Sequence, residues 1–586
     1  MMDQKNLFMA IAMSIAIVLG FHYFYDKPRV QQQAQQQQQS QQAQIPQPGA
    51  PPGTQPAVQP GTQPGAQPGA QPGQAPLARD AATVLAATKR VRIDSPRLSG
   101  SIALTGGLVD DVVLKGYRET VDPGSPNIRL LAPPGVERPY YAEFGWTSAG
   151  GDGAPKLPDS NTPWTADRDM LTPGQPVTLT WDNGAGLKFS RVHALDENYM
   201  LTVTQKAENA GQQPVTLYPY ALVSRTGTPD VLGFYILHEG LIGVLDGSLK
   251  EYTYSNMRDE KTGAVKFPTT GGWLGITDKY WLVALVPTQD EKIESYFRHV
   301  LRDKTDKYQV DYLGAARTVA AGAATQAQAR LFAGAKEVRL IDRYEADLKI
   351  KLFDRTVDWG WFYWLTKPIF VVLDFFFGLL GNFGLAILLL TVIVKLIFFP
   401  LANKSYKSMS AMKKLQPQMM ALREKFGEDR QQLNQAMMEL YKREKVNPVS
   451  GCLPIVIQIP VFFALYKVLF VTIEMRHAPF YGWVKDLSAQ DPTTIFNLFG
   501  LIPWQPPYIL MIGAWPLIMG VTMFLQQKLN PQPPDPVQAK IFMFLPVFFT
   551  YLLSAFPAGL VIYWAWNNLL SICQQWLIMR QAGVKA

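Results

Sequence analysis

Long apolar segments are the feature that most constrains how this chain can fold. Residues 7–25 form one such run near the N-terminus. Five more, each about as long as a helix that crosses the hydrocarbon layer, lie near 381–400, 449–473, 507–527, 540–556 and 558–579. The sequence therefore predicts a multi-span α-helical membrane protein with six transmembrane helices. The last five would form a core over residues 381–580.

The N-terminal run has two possible interpretations. Its sequence, LFMAIAMSIAIVLGFHYFY, is long enough for one crossing, but a cleaved signal peptide is the alternative. The run ends in aromatic residues and not in a small-x-small cleavage site. Aromatic residues suit a membrane interface. We therefore predict an uncleaved anchor over residues 1–25.

The segment after the anchor differs sharply in composition. Residues 26–79 are dominated by Gln, Pro and Gly, with a loose repeat GTQPGAQPGAQPGQ. Such a segment has almost nothing apolar to bury, so it cannot offset the entropy of ordering its backbone. We predict a disordered linker.

Residues 80–350 change character again. Alternating stretches such as VTLTW at 177–181, YMLTVT at 199–204 and KYWLVALV at 279–286 are separated by short gaps rich in Gly, Pro, Asn and Asp. Period-two alternation with such gaps predicts an antiparallel β-sandwich, and a helix is expected at about 336–350. The domain contains His193 and His238, but the spacing of its carboxylates marks no catalytic pair.

The segment 357–377 is aromatic and apolar but is interrupted by Asp358, Lys367 and Asp374. Pro368 would kink a helix here. We expect an amphipathic helix that lies in the membrane interface, with a buried structural helix as the alternative.

Charge decides the orientation of the spans. The segment 401–448 carries ten Lys and Arg residues, and basic loops stay in the cytoplasm. By parity, both chain termini are then cytoplasmic, and the β domain lies on the other side of the membrane. The formal net charge of +8 fits a protein beside anionic lipid or RNA but selects neither.

Three motifs resemble a known family. They are NFGLAILLLTVIVKLIFFPL at 382–401, a long block from LQPQMM to IPVFFALY at 415–466, and FPAGLVIYWAWNNLLSICQQWLI at 556–578. The region resembles the YidC, Oxa and Albino membrane protein insertases. The anchor, the linker and the large β domain resemble the Gram-negative form of that family. The resemblance implies a bacterial inner-membrane protein with a periplasmic domain, which acts as an insertase and chaperone for nascent membrane proteins.

One cation inside a predicted span is the first candidate for function. Lys395 lies in the run TVIVKLIFF, where an ionised lysine costs about 2.5–3.5 kcal/mol unless it reaches water. Snorkelling of the amine to the headgroups is the alternative. Polar residues recur at helical spacing in all five core spans, namely Thr391, Gln458, Thr522, Gln526, Thr550, Ser554, Tyr563, Asn567 and Ser571. Together with the cation they predict a water-containing groove, although any single pair would more often be an ordinary interhelical contact.

The resemblance implies the same groove, open to the cytoplasm and to lipid and closed to the outside. The sequence departs from the family at one point, because bacterial members usually carry arginine where this chain has Lys395. Lysine keeps the charge but loses the planar fork of arginine. A bidentate contact with a substrate carboxylate is therefore in doubt.

The basic segment also has an internal pattern. Residues 404–426 and 428–445 are predicted to form a helical hairpin broken at Gly427. Its methionines, an adaptable apolar surface, are Met409, Met412, Met419, Met420, Met437 and Met438. Packing of the two helices against each other is the alternative role, expected for half of these. The resemblance implies that the hairpin recruits substrates and targeting or ribosomal components, and that the β domain docks to the accessory complex of the Sec translocon.

We expect no cofactor, no metal and no covalent chemistry. Cys452 and Cys573 have no zinc-site spacing, and the chain has no GxxxxGK[ST] phosphate loop. Two alternatives to the insertase remain: a secondary transporter of a small anion, and a membrane-anchored carbohydrate-active protein. The first would commonly show two related halves, which 381–580 does not. The tail after Arg580 is short, so contact with the ribosome would be weak.

Overall fold

The fold is taken from a computed structural model. It describes residues 80–150, 154–231, 237–426, 429–444, 446, 453–502, 504, 506–507, 510–530 and 536–581. The predicted anchor at 1–25 and the predicted linker at 26–79 lie outside this part of the chain. The described residues all belong to one compact unit, Pro76–Ala586.

The first half of the described chain forms two β-sheets. The first sheet has, in spatial order, β14 (Ala264–Thr270), β17 (Lys292–Arg302), β18 (Thr305–Leu313), β11 (Val215–Thr226), β5 (Tyr140–Thr147), β3 (Val109–Arg118), β2 (Leu98–Ala103), β1 (Arg90–Asp94) and β7 (Met170–Leu171). In the same sheet, β4 (Asn127–Leu131) pairs with β3 and β19 (Arg317–Val319) pairs with β11. The second sheet runs β13 (Ser248–Thr253), β12 (Gly240–Leu245), β15 (Trp273–Thr277), β16 (Trp281–Pro287), β20 (Ala324–Ala335), β10 (Met200–Asn209), β9 (Leu187–Leu195), β8 (Val177–Asp182) and β6 (Thr165–Ala166).

Alternation along the strands builds one core between the sheets. In β9, every second residue from Leu187 to Leu195 is buried, as expected for a strand with one inward face. Phe144 and Val223 of the first sheet share a single apolar cluster with Val203 and Leu331 of the second. The predicted antiparallel β-rich domain is confirmed, with a small correction. β1 and β7 pair in parallel over two residues, which is possible because a long connection, and not a hairpin, joins them.

Helices follow the β domain. Three short helices belong to the domain or its end: α1 (Ala81–Ala86), α2 (Tyr254–Asp259) and α3 (Val338–Leu348). The remaining helices are α4 (Tyr363–Leu380), α5 (Phe383–Ile397), α6 (Phe399–Phe426), α7 (Arg430–Arg443), α8 (Leu453–Val471), α9 (Ala514–Leu529), α10 (Pro536–Leu553) and α11 (Ala558–Gln581). Single 3₁₀ segments occupy Phe353–Thr356, Ile473–Met475 and Ile495–Gly500.

Few of these helices qualify as complete spans by themselves. Among the described residues, α4 alone is long and apolar enough to cross a bilayer, and α5 with α6 would be a second span only if taken together. These two meet at a 68° bend just before Pro400, which has no N–H to continue the hydrogen bonding. Helix α5 thus ends at Ile397, earlier than the predicted span near 381–400. The count of six spans stays a prediction, as does the interfacial placement of 357–377, most of which lies in α4.

The helical part nevertheless presents an apolar surface to its surroundings. Large apolar side chains are exposed on the outer faces of α4, α9 and α10, for example Phe375, Val521 and Phe544. A soluble protein rarely exposes so many contiguous apolar groups, whereas lipid tails accommodate them. Helices α4, α5, α8 and α11 pack around a separate apolar core that includes Phe370, Ile387 and Leu469.

Polar contacts join the β domain to the helical core. The backbone N–H of Val338 in α3 donates to Glu474 Oε1, which follows α8, at 2.8 Å. Lys367 in α4 pairs with Asp342 and Asp354 at 2.9 Å each. Arg476 donates to the carbonyl of Arg118 at the end of β3 at 2.6 Å. The end of the bundle where α8 finishes therefore faces the β domain.

Candidate polar site between the membrane helices

The candidate site begins with Lys395 in the last turn of α5. The helix starts at Phe383 and is capped by Asn382, whose side chain accepts the N–H of Leu385 at 3.1 Å. It is apolar apart from Thr391 and Lys395. A cation in the last turn is favoured by the partial negative charge at the helix C-terminus. The half-buried Lys395 turns its ammonium inward, where Nζ donates to Ser571 Oγ of α11 at 2.6 Å.

Ser571 joins three helices at this point. Its buried hydroxyl accepts from Lys395 and donates to the carbonyl of Asn567, one turn earlier in α11, at 2.8 Å. Tyr406 of α6 is also buried, and its hydroxyl lies within hydrogen-bonding reach of Ser571. A serine hydroxyl has one proton and two lone pairs, so this set of partners fits its capacity.

The charge of Lys395 has a neutral partner. Within the part of the chain that the structure describes, none of the ion pairs involves Lys395, and no charged group acts on it. A half-buried ammonium that is held by a hydroxyl keeps an uncompensated positive charge. The site can therefore attract a carboxylate supplied from outside the chain.

Two further interhelical hydrogen bonds use predicted residues. Gln458 Nε2 of α8 donates to Tyr563 OH of α11 at 2.5 Å. Asn568 Nδ2 of α11 reaches Thr522 Oγ1 of α9 at 3.4 Å. The α11 residues Tyr563, Asn568 and Ser571 thus contact α8, α9 and α5 in turn.

The other predicted polar residues contact their own helices. Thr391, Thr550 and Ser554 donate to the carbonyls of Ile387, Pro546 and Tyr551, at 2.7 Å each. Such bonds satisfy a hydroxyl inside an apolar helix and need no groove. Gln526 is half-buried on α9. The structure thus brings together Lys395 with Ser571 and, separately, Gln458 with Tyr563, but not the whole predicted stripe.

Unpaired polar atoms collect along the same helix. Asn567 Oδ1, Gln574 Nε2 and Gln575 Oε1 are buried without a hydrogen-bond partner among the described residues. Gln575 uses its amide nitrogen, which donates to Asn530 Oδ1 at 3.0 Å. Buried polar atoms in native proteins almost always bind water when they have no protein partner. All three residues lie within about one turn of Ser571 along α11, which favours hydration of this stretch of the helix.

Some members of this site were not predicted from the sequence. Tyr406 lies in the basic segment, and Asn568 directly follows a residue of the predicted stripe. The pattern of polar residues four apart does not include either of them. The adjacent pair Asn567 and Asn568 was a weak indication that Asn568 makes an interhelical contact, because two neighbouring Asn residues in an apolar span can contact two different helices.

The cytoplasmic hairpin divides its methionines between packing and exposure. Met419 is buried with Leu415 and Leu440, where α6 and α7 meet, and Met437 packs against this cluster. Met420 and Met438 are exposed, and Met409 and Met412 are half-buried. Asp429 caps α7 by accepting the N–H groups of Gln431 and Gln432. The predicted breaker Gly427 and its neighbour Glu428 lie outside the described residues.

The two β-domain histidines noted in the sequence, His193 and His238, do not form a comparable site. Burial, with Arg191 nearby, lowers the pKa of His193 to about 3, and burial lowers the pKa of His238 to about 4. Both rings are therefore neutral at physiological pH and act as structural groups. A cavity of about 390 Å³ lies between β14, β17 and β18, and the described residues contain no cluster of metal ligands.

Comparison with known proteins adds an independent result. The family model described as YidC periplasmic domain matches residues 90–372, and the one described as 60Kd inner membrane protein matches residues 375–585. The membrane protein insertase YidC of Methylobacterium nodulans is 57% identical over 591 residues, which cover 100% of this chain and 96% of the relative. The corresponding protein of Bradyrhizobium diazoefficiens is 53% identical, with 100% and 97% covered.

A solved structure is also similar. It is described as an active YidC insertase with the first transmembrane domain resolved, and it is 19% identical to this chain. The match covers 83% of this chain and 93% of that one, with a TM-score of 0.36. At such values, the assignment of a family rests on the sequence matches.

Proposed function

The chain belongs to the YidC family of membrane protein insertases, and from this premise we propose that it delivers apolar segments to the bilayer at a polar site centred on Lys395. The observation that carries the proposal is the hydrogen bond from Lys395 Nζ to the neutral Ser571 Oγ. It holds an uncompensated cation between α5, α6 and α11. An insertase needs such a group because the polar end of a substrate must enter an apolar medium.

The first proposed step concerns charge. A nascent helix with a short acidic N-terminal region meets the site, and Lys395 attracts its carboxylate. Water held by Asn567, Gln574 and Gln575 hydrates the polar tail, as their unpaired buried atoms support. Both effects lower the barrier to bringing charge and unpaired backbone groups into the membrane.

The second proposed step concerns the apolar part of the substrate. It slides along the lipid-facing surfaces of α8 and α10, where Phe463, Val547 and Phe548 are exposed. Removing apolar area from water is favourable by about 25 cal/mol per Å², so no nucleotide is required for this step. The substrate helix then partitions into lipid.

The proposed topology follows from charge. The chain is an inner-membrane protein with a periplasmic β domain, as its family matches describe. We further infer six spans, with both termini and the basic segment 401–448 in the cytoplasm. In this orientation, the Lys395 end of α5 lies near the cytoplasmic face, where substrates arrive.

The hairpin of α6 and α7 is proposed as the recruiting element. The exposed side chains of Met420 and Met438 support this role, because flexible thioethers adapt to different partners. Nascent chains and ribosomal or signal-recognition components are the partners that we propose for it. The Sec translocon and its accessory complex are the partners that we propose for the β domain.

No observation favours the two alternatives raised by the sequence, a secondary transporter of a small anion and a membrane-anchored carbohydrate-active protein. The described relatives carry the name of an insertase. His193 and His238 of the β domain are buried and neutral, so neither is suited to act as the acid or base of a carbohydrate-active function. We infer that insertion involves no covalent step.

Reconstitution tests the role of the cation. Proteoliposomes that contain only this protein should insert a short substrate with an acidic tail. Lys395→Ala should reduce insertion by roughly tenfold, because removing a charge partner of the tail costs about 1.4 kcal/mol or more. Lys395→Arg should insert nearly normally, since it keeps the charge.

Two controls accompany the test. Lys528→Ala removes an exposed lysine from the last turn of α9 and should leave insertion unchanged. Insertion of a substrate with a neutral tail should be the same in the native protein and in Lys395→Ala. Full insertion of the acidic substrate by Lys395→Ala would exclude the proposed role of Lys395.

A further inference from the structure

The connection between α8 and α9 carries an exposed apolar patch that the insertion mechanism does not use. Five large side chains of this patch point away from the protein, and Leu501 is the most exposed of them at 83%. We name as the apolar patch the residues Phe496, Leu498, Phe499, Leu501 and Ile502. Exposing this much contiguous apolar surface to water is unfavourable in free energy. We therefore expect another apolar surface to cover the patch.

The backbone beneath the patch is held in an unfavourable conformation. Leu498 (φ 49°, ψ 48°) and Phe499 (φ 57°, ψ 33°) are both left-handed, which is unfavourable for a residue with a bulky side chain. Two hydrogen bonds keep the loop closed: Phe499 N–H to the Thr494 carbonyl at 2.8 Å and Ile502 N–H to the Asn497 carbonyl at 3.0 Å. The chain thus keeps a strained turn that presents apolar side chains outward.

A buried carboxylate ties this turn to the start of α9. Asp491 accepts the hydroxyl of Thr493 at 2.7 Å and the backbone N–H of Trp515 at 2.9 Å. Thr493 in turn accepts the N–H of Ala514 at 2.9 Å. The patch is therefore fixed at the end of a helix whose outer face is apolar, with Ile518 and Val521 exposed.

Charge distinguishes lipid from protein as the partner. The sequence has no Asp, Glu, Lys, Arg or His from Pro492 to Gln527, so this segment supplies no charged residue to the rim that protein interfaces commonly have. Its residues are the large apolar and aromatic types that enter the boundary between headgroups and acyl chains. The patch precedes α9 in the chain, and the exposed side chains of α9, such as Ile518 and Val521, are also apolar.

We propose that the apolar patch inserts into the membrane leaflet on the β-domain side and anchors the start of α9 there. Arg476, at the beginning of the same connection, contacts the β domain through the carbonyl of Arg118, which identifies the side. The anchor stabilises the depth and tilt of α9, the helix that contacts the polar stripe of α11 through Thr522. The occupant is phospholipid, not a second protein.

Site-directed fluorescence tests the proposal on the full chain. Cys452 and Cys573 are replaced by serine, and Leu501→Cys is labelled with the environment-sensitive dye NBD. The protein is placed in nanodiscs of phosphatidylethanolamine and phosphatidylglycerol, with nitroxides either on the headgroup or along the acyl chain. The matched control is Asp303→Cys in the β17–β18 turn, where the native side chain is 85% exposed.

The expected result is blue-shifted emission for the label at residue 501, with roughly twofold quenching by the acyl-chain nitroxide nearest the headgroup. The label at residue 303 should show neither effect. Emission and quenching at 501 that match those at 303 would overturn the proposal, because the patch would then be in water. A blue shift without quenching by any nitroxide lipid would also overturn it, because protein would then cover the patch.

Discussion

At the scale of single residues, polar side chains on the same helix differ in the partners that they reach. Lys395 and Ser571 lie 176 positions apart and form a hydrogen bond across two helices. The hydroxyl of Thr391 lies one turn from Lys395 but bonds only to its own helix. Glu474 shows a third case, since one carboxylate oxygen binds the Val338 N–H and the other is buried without a partner among the described residues.

Glu474 should make the stability of the domain junction depend on pH. Burial, with smaller contributions from the nearby carboxylates of Glu337 and Asp374, raises the pKa of Glu474 from 4.5 to about 7. The folded state thus holds the proton more tightly than the unfolded state. Below about pH 4.5, Glu474 is protonated in both states and does not lower the free energy of unfolding. As the pH rises toward 7, the free energy of unfolding falls by up to roughly 3 kcal/mol.

Thermal unfolding in detergent between pH 5 and pH 8 measures this effect. Glu474→Gln keeps an acceptor for the Val338 N–H and should flatten the decline. Glu294→Gln, at an exposed glutamate paired with Lys266, is the control and should decline like the native protein. Identical pH profiles for the native protein and Glu474→Gln would contradict the assignment.

At the scale of elements, glycine sets how closely the membrane helices approach. Gly520 of α9 lies against Thr550 of α10, and a Cβ built at Gly520 would come within 2.1 Å of Thr550 Oγ1. That hydroxyl is fixed by its bond to the Pro546 carbonyl. Small residues at such contacts allow helices in membranes to pack through backbone and side-chain van der Waals contact.

Gly520→Ala should therefore separate α9 from α10 and destabilise the core. We expect a loss of about 1–3 kcal/mol, as for overpacking elsewhere. Gly378→Ala in α4 is the matched control, because a Cβ there meets nothing within 4 Å and alanine favours the helix. Chemical unfolding in detergent compares the two. Equal stability of both variants would show that α9 and α10 accommodate the added methyl group without a loss of stability.

At the scale of the whole molecule, the β domain and the helical bundle form two apolar cores joined by polar contacts and by Ile473 and Val338, each of which packs in the core of the other part. Phe144 belongs to the first core and Ile387 to the second, while Glu474 and Arg476 connect the two parts. The hairpin of α6 and α7 has a small third cluster, which includes Leu415, Met419 and Leu440. The proposed recruiting role of the hairpin can therefore be tested separately from insertion.

Shortening the hairpin should separate the two activities. Replacing residues 416–439 by a short Gly-Ser turn removes Met419, Met420, Met437 and Met438 but keeps Tyr406 beside Ser571. Insertion of a purified substrate into proteoliposomes should be unchanged. Insertion of a ribosome-bound nascent chain should fall severalfold. Unchanged insertion of both substrates would argue against a recruiting role.

Much of this organisation follows from the sequence by itself. Apolar runs of membrane length predicted a helical bundle, and period-two alternation predicted the antiparallel β domain, because each pattern can bury its apolar groups in only one kind of secondary structure. The motifs around residues 382–401, 415–466 and 556–578 indicated the insertase family, which the comparisons confirm. Lys395 stood out because a cation in an apolar run is costly.

Tertiary structure decided the rest, since local pattern carries no information about which distant groups meet. Only packing makes Ser571 the partner of Lys395 and brings Tyr406 to the same place. The parallel pairing of β1 with β7 and the left-handed turn at Leu498 and Phe499, which Asp491 ties to the start of α9, also depend on contacts between distant segments. In each case, contacts between distant segments outweigh the local preference of the chain, because the free energy of packing exceeds the cost of a strained or unusual backbone.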